Sequence, residues 1–113
     1  MSMKQKSNLT SEEHIEVFGA PDEKTLFNMS ELFKVFADST RIRILYAMFE
    51  QEMNVSQVCE KVEMSFSAVS HQLRLLKQSK LVNFRKEGKS VVDFLADDHV
   101  RTILDQGMEH VQE

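Results

Sequence analysis

Three features of the sequence predict a mainly α-helical domain carrying one small β-hairpin. The stretch Met64–Gln78, MSFSAVSHQLRLLKQ, holds two opposed rows of side chains at helical spacing. A shorter helix ends just before it, with a turn at Glu63-Met64 between the two. Two alternating apolar runs follow, joined by Glu87-Gly88-Lys89-Ser90. Two helices joined by a tight turn, with a basic hairpin after them, make a winged helix-turn-helix. A chain of 113 residues, 42% apolar and without Trp, is sized for one domain with a small core, so pairing with a second copy would add buried surface.

Taken in order, the polar residues 1–8 form a loose arm. Thr10 followed by Glu13 resembles a capping box and predicts a short helix from Ser11 to Phe18, broken by Gly19-Ala20-Pro21. His14 lies in it, either solvated or an extra metal ligand. The arm thus covers residues 1–21 and the winged domain 22–113. Asp22 to Ala37 reads as the first full helix, with Leu26, Phe27, Leu32, Phe33 and Phe36 on its apolar side. Asp38-Ser39 ends it and caps the next, Thr40 to about Glu50, where Ile42, Leu45, Tyr46 and Phe49 recur at helical spacing. Met53 to Val55 is long enough only for a strand stub. Ser56 then caps a short helix containing Val58, Cys59 and Val62.

In the stretch from Met64 to Gln78, Ser65 is the expected N-cap. Val69, Leu73 and Leu76 form the apolar row, with Phe66 at its edge. Ser67, Ser70, His71, Arg74 and Gln78 form the polar row. Hydroxyls, an imidazole, a guanidinium and an amide, with no carboxylate among them, suit contact with phosphates and base edges. The hairpin adds Arg85, Lys86 and Lys89 near its tip, a basic wing.

The formal net charge of −4 argues at first against a nucleic-acid partner, but the charge is segregated. From Ser65 to Ser90 the basic residues are Arg74, Lys77, Lys80, Arg85, Lys86 and Lys89, against Glu87 alone. From Asp93 onward the acids are Asp93, Asp97, Asp98, Asp105, Glu109 and Glu113, against Arg101 alone. Phosphate contact depends on the local field. A single Cys excludes an internal disulfide, and no secretory or membrane-spanning run is present, so a cytoplasmic protein is expected. Neither a nucleophile elbow nor a phosphate loop occurs, so no enzyme is expected.

The last helix, Asp98 to Val111, carries Val100, Ile103, Leu104, Met108 and Val111 as an apolar stripe, with Gly107 in the same row permitting close approach of a partner helix. His99, His110 and Glu113 flank it. His99 and His110 share a face but lie about 16 Å apart along the axis, so one helix cannot bring both to one ion. An antiparallel partner could place Asp97 and His99 of one chain beside His110 and Glu113 of the other, twice per dimer. Two imidazoles and two carboxylates suit Zn(II), with Co(II) a plausible substitute. Spacing equally allows a capped acidic dimer helix with two incidental histidines.

Three segments, ELFKVFADSTRIRIL (Glu31–Leu45), SFSAVSHQLRLLKQSKLV (Ser65–Val82) and FRKEGKSVVDFLADDHV (Phe84–Val100), resemble the ArsR/SmtB family of bacterial metal-responsive repressors. The resemblance covers about Asp22 to Glu113. It implies a homodimer, joined through its N- and C-terminal helices, that binds double-stranded operator DNA without metal and releases it with metal. Ser67, Ser70, His71 and Arg74 match the family's DNA-reading positions. Asp97, His99, His110 and Glu113 match the C-terminal ligand set of its zinc-sensing members, with Co(II) and Ni(II) not distinguished from Zn(II). The family's thiolate site would fall at Asn54-Val55-Ser56-Gln57, which has no thiol, so arsenic- or cadmium-type sensing is disfavoured. A repressor of the same fold answering to redox or a small molecule through Cys59 is the alternative. Two positions depart from the pattern. Glu63 stands where Gly or Asn is common, with strain expected if its φ is positive. Phe66 stands at a commonly polar position, either packed on the core edge or touching a thymine methyl.

Overall fold

The computed structural model describes residues 8–113, so the arm expected over residues 1–8 lies, apart from Asn8, outside the described residues. Six helices and a hairpin follow: α1 (Ser11–Phe18), α2 (Glu23–Phe36), α3 (Ser39–Ala47), α4 (Val55–Val62), α5 (Phe66–Gln78), β1 (Val82–Glu87), β2 (Ser90–Leu95) and α6 (Asp98–Gln112). Compactness divides the chain inside α2, into one unit up to Glu31 and another from Leu32 onward.

In the first unit, the Thr10 hydroxyl accepts from the Glu13 amide at 3.2 Å and donates to the Glu13 carboxylate at 3.0 Å, closing the first turn of α1. Gly19, at φ +80, ends that helix. Asp22 accepts from the Thr25 amide at 2.7 Å, and this backbone hydrogen bond holds its carboxyl below the usual aspartate range. The His14 ring lies 4.6 Å from that of Phe18.

The second unit is held by side chains from every one of its elements. Ile44, Leu45 and Met48 from the α3 region meet Val58 and Val62 of α4 and Val69, Leu73 and Leu76 of α5. Leu81, Val82, Leu95, Val100 and Leu104 close the core from the hairpin side and α6. Burying each large aliphatic side chain contributes about 1.5–3 kcal/mol, so this cluster is what fixes α5 against α4. The hairpin is antiparallel, with register running from Val82↔Leu95 to Glu87↔Ser90. Gly88, at φ +63, takes the first central position of the two-residue turn, where a type II′ turn needs glycine.

Two expectations are corrected and one, the strand stub at Met53, is borne out. Helix α3 stops at Ala47, short of Glu50, and Ile44 is fully buried alongside the expected Leu45, while Ile42 is exposed. The strand stub at Met53 is a single bridge, made by reciprocal backbone bonds with Asp93. The cap of α4 is Asn54, not Ser56. The Asn54 side chain accepts from the Gln57 amide and the Gln57 side chain accepts from the Asn54 amide, each at 2.9 Å.

Along α6 the apolar stripe is only half used. Val100 and Leu104 are buried, whereas Met108 and Val111 are exposed. With Phe36, Ile42, Tyr46, Ile103, Leu104 and Gly107 they line an open, almost wholly apolar cleft of about 340 Å³. A Cβ added at Gly107 would meet nothing within 4 Å, so among the described residues nothing requires glycine there.

Candidate nucleic-acid interface and metal-ligand pairs

The turn between α4 and α5 is set by one strained residue. Glu63 closes α4 in the left-handed region, at φ 55 and ψ 49, where its amide donates to the Cys59 carbonyl. The positive φ expected there is present, and a non-glycine residue adopts it at a cost of about 1 kcal/mol or more. Two residues later the Ser65 hydroxyl accepts from the Ala68 amide at 3.2 Å and starts α5.

With Val69, Leu73 and Leu76 buried, the opposite side of α5 faces outward. Ser67, His71 and Arg74 are exposed and Ser70 is half-buried, so the polar row forms one carboxylate-free surface. Phe66, expected at the apolar edge, is instead 63% exposed.

On the wing, Lys86 and Lys89 are exposed. Arg85 is exposed too, but its guanidinium is committed. It donates to Glu52 at 2.6 Å and to Glu87 at 2.8 Å, and lies 5.5 Å from the centre of the Phe94 ring. The hydrogen bond to Glu52, and then that to Glu87, raise the guanidinium pKa still further. The same bond holds the Glu52 carboxyl below its usual range. Lys77 is also paired, to the buried Asp93. The basic surface is therefore thinner than a residue count suggests, and rests on Arg74, Lys80, Lys86 and Lys89.

The four candidate metal ligands fall into two pairs. Asp97 is the N-cap of α6, its Oδ1 accepting from the amides of His99 at 2.9 Å and Val100 at 3.3 Å. The same oxygen lies 3.6 Å from His99 Nδ1. At the far end, His110 Nδ1 lies 3.8 Å from Glu113 Oε2. Both imidazoles are almost fully exposed, at 89% and 85%. Among the described residues, no three His, Cys, Asp or Glu side chains converge within one protomer. Each pair supplies one nitrogen and one carboxylate at spacing a single divalent ion could close, so the donor chemistry fits a borderline metal only if two pairs meet. Cys59 is half-buried against the core. No helix among the described residues is long and apolar enough to cross a membrane.

Comparison with known proteins agrees with the fold. Residues 38–83 match the family model described as bacterial regulatory protein, arsR family. The chain is 40% identical over 85 residues to a transcriptional repressor SmtB homolog of Synechocystis sp., a match spanning 75% of this chain and 64% of that protein, a little under two thirds of its length. It is 37% identical over 87 residues to a cadmium resistance transcriptional regulatory protein CadC homolog of Staphylococcus aureus, spanning 76% and 72% respectively. Among solved structures, reduced HlyU from Vibrio cholerae superposes with TM-score 0.68 at 31% identity, over 74% of this chain and 88% of that one. The homodimeric winged helix-turn-helix DNA-binding domain Mb0332 of Mycobacterium bovis gives TM-score 0.75 at 24% identity, over 85% and 91%, and supports the fold.

Proposed function

Because this chain belongs to the ArsR family of bacterial regulatory proteins, a family of regulators and not of enzymes, we propose that it is a homodimeric transcriptional repressor whose DNA binding is relieved by Zn(II). The observation that carries the DNA reading is the surface of α5. A capped, well-buried helix presents Ser67, Ser70, His71 and Arg74 with no carboxylate among them. Such a helix enters a major groove with its N-terminal part leading. Lys86 and Lys89 of the wing would lie along the backbone.

The metal reading rests on the two pairs at the ends of α6. Asp97 and His99 of one protomer with the partner's His110 and Glu113 would hold the ion, twice per dimer. When bound, Zn(II) supplies a closed four-ligand crosslink and no open position for catalysis. The apolar cleft along α6 is the surface on which the partner's terminal helices would pack. With the four ligands drawn onto one ion, the two α6 helices take a fixed setting, and the recognition helices no longer match successive grooves. Metal and DNA then weaken each other's binding by the same factor.

Fluorescence anisotropy on DNA from upstream of the gene, at one fixed salt concentration, tests both parts. Tight binding by chelator-treated protein that zinc weakens about tenfold or more, a coupling of ~1.4 kcal/mol, is the expected result. Tight binding indifferent to zinc would leave the DNA reading standing and move the signal to another metal, to Cys59 or to a small molecule.

A further inference from the structure

Phe66 is the first residue of α5, and among the described residues its ring is not one of those packed against the core. It is 63% exposed, although Val69, one turn on, is wholly buried. The position is not free to drift. Ser65 caps the helix through the Ala68 amide, and Val69, Leu73 and Leu76 lock the next three turns into the core. The ring is therefore held outward at the leading end of the helix, in one row with Ser70, four residues on. Left in water it contributes little to folding. The other exposed side chains in the first two turns, Ser67 and His71, are a hydroxyl and an imidazole, hydrogen-bonding groups that Phe66 lacks.

An aromatic ring without donors or acceptors can discriminate only an apolar feature of the ligand. On the major-groove edges of the base pairs that feature is the thymine C5-methyl. We propose that Phe66 is a specificity-determining residue that packs on a thymine methyl in the half-site read by α5. The proposal rests on the DNA reading above and adds to it which base chemistry the leading end of the helix selects. The hydroxyls and Arg74 can hold phosphates of any sequence, whereas Phe66 gives a preference for thymine at one position of each half-site.

The test separates the two readings. A tight-binding duplex is selected from a randomised pool, and each thymine is then replaced in turn by deoxyuridine, which removes the methyl and keeps the hydrogen-bonding edge. Wild-type protein is expected to lose about fourfold in affinity at one symmetric pair of positions, on the order of what burying a single methyl group supplies. Phe66→Ala should lose affinity for the parent duplex and become indifferent to uracil at those same positions. Phe66→Leu should retain part of the effect. Arg74→Ala should weaken binding while leaving the uracil profile unchanged. If wild type selects and binds a duplex but no uracil effect disappears in Phe66→Ala, this proposal fails and the DNA reading survives. If wild type selects no duplex at all, both fall.

Discussion

Lys77 Nζ lies 2.8 Å from Asp93 Oδ1, joining the recognition helix to the second strand of the wing through a carboxylate with no exposed surface. Among the described residues, neither Asp93 oxygen has a partner of good hydrogen-bond geometry, and the Lys77 ammonium is the cation beside the buried charge. Lys77 also lies 4.9 Å from the centre of the Phe84 ring on β1. The backbone of Asp93 is bonded both ways to Met53, so the carboxylate cannot retreat. Removing the cation should cost more than the pair itself contributes, because a lone buried carboxylate remains. Lys77→Met is expected to lose about 3 kcal/mol, the lower end of the range for buried pairs, since Lys77 is 29% exposed. Lys77→Met combined with Asp93→Leu should recover most of it. Urea unfolding of the three variants beside wild type is the measurement.

Glu52 holds Arg85 away from other anions. Glu52→Gln should leave Glu87 alone holding the guanidinium, tighten binding to non-specific duplex a few-fold, and steepen the salt dependence by at most about one phosphate contact. Anisotropy across a salt series reads both, and an unchanged slope in Glu52→Gln combined with Glu87→Gln would exclude Arg85 from the interface. Acid has a related effect on the fold. The Glu52 carboxyl is depressed in the folded state, chiefly by the Arg85 hydrogen bond. Its contribution is thus present above the unfolded value of ~4.3 and is lost as pH falls through the lower folded one.

Asp97 has two assignments that one substitution can separate. Asn caps a helix about as well as Asp, so Asp97→Asn should keep α6 within a few tenths of a kcal/mol in thermal unfolding. It removes the carboxylate, and zinc affinity measured against a chromophoric chelator should fall at least about tenfold, the smallest loss seen even for outer-shell partners. Asp97→Ala should lose the cap as well, about 1 kcal/mol. Equal zinc affinity in Asp97→Asn and wild type would remove Asp97 from the ligand set.

His110→Ala tests the other end of the site. It lies on an exposed turn where truncation costs little stability, within about 0.5 kcal/mol. Apo protein should bind DNA as before, and zinc should no longer weaken that binding. Full zinc-driven release in this variant would falsify the proposed ligand set.

Local rules carried most of the fold. Thr10, Asp38 and Ser65 each announce a helix start and each accepts the expected backbone amide. Gly88 announces the hairpin turn. The Ser56 cap failed because two candidate caps lie two residues apart, and the reciprocal Asn54–Gln57 pair outcompetes a lone serine. The apolar row in α3 held at Leu45, Tyr46 and Phe49 but not at Ile42, which is exposed. Periodicity marks a face but not how wide the buried strip is, and the core also took Ile44. Counting charges along the chain hid the pairs that bridge segments. Glu52 and Asp93 lie outside the basic stretch, yet they neutralise Arg85 and Lys77 within it. The proximity of Asp97 to His99 and of His110 to Glu113 was legible because each pair sits within three residues of sequence. Burial of Asp93 was not, since nothing in an alternating strand marks one acid as internal.

In the proposed homodimer, the open cleft beside Gly107 makes protein abundance a thermodynamic variable. An almost wholly apolar recess lined by Phe36, Tyr46, Met108 and Val111 gains most when another copy covers it. Association then adds to folding by mass action, so the melting temperature should climb with concentration and sag on dilution. A gene-regulating protein made in few copies would meet that dilution inside the cell. Its steady-state level would set not only how many operators are filled but how long each unbound protomer survives.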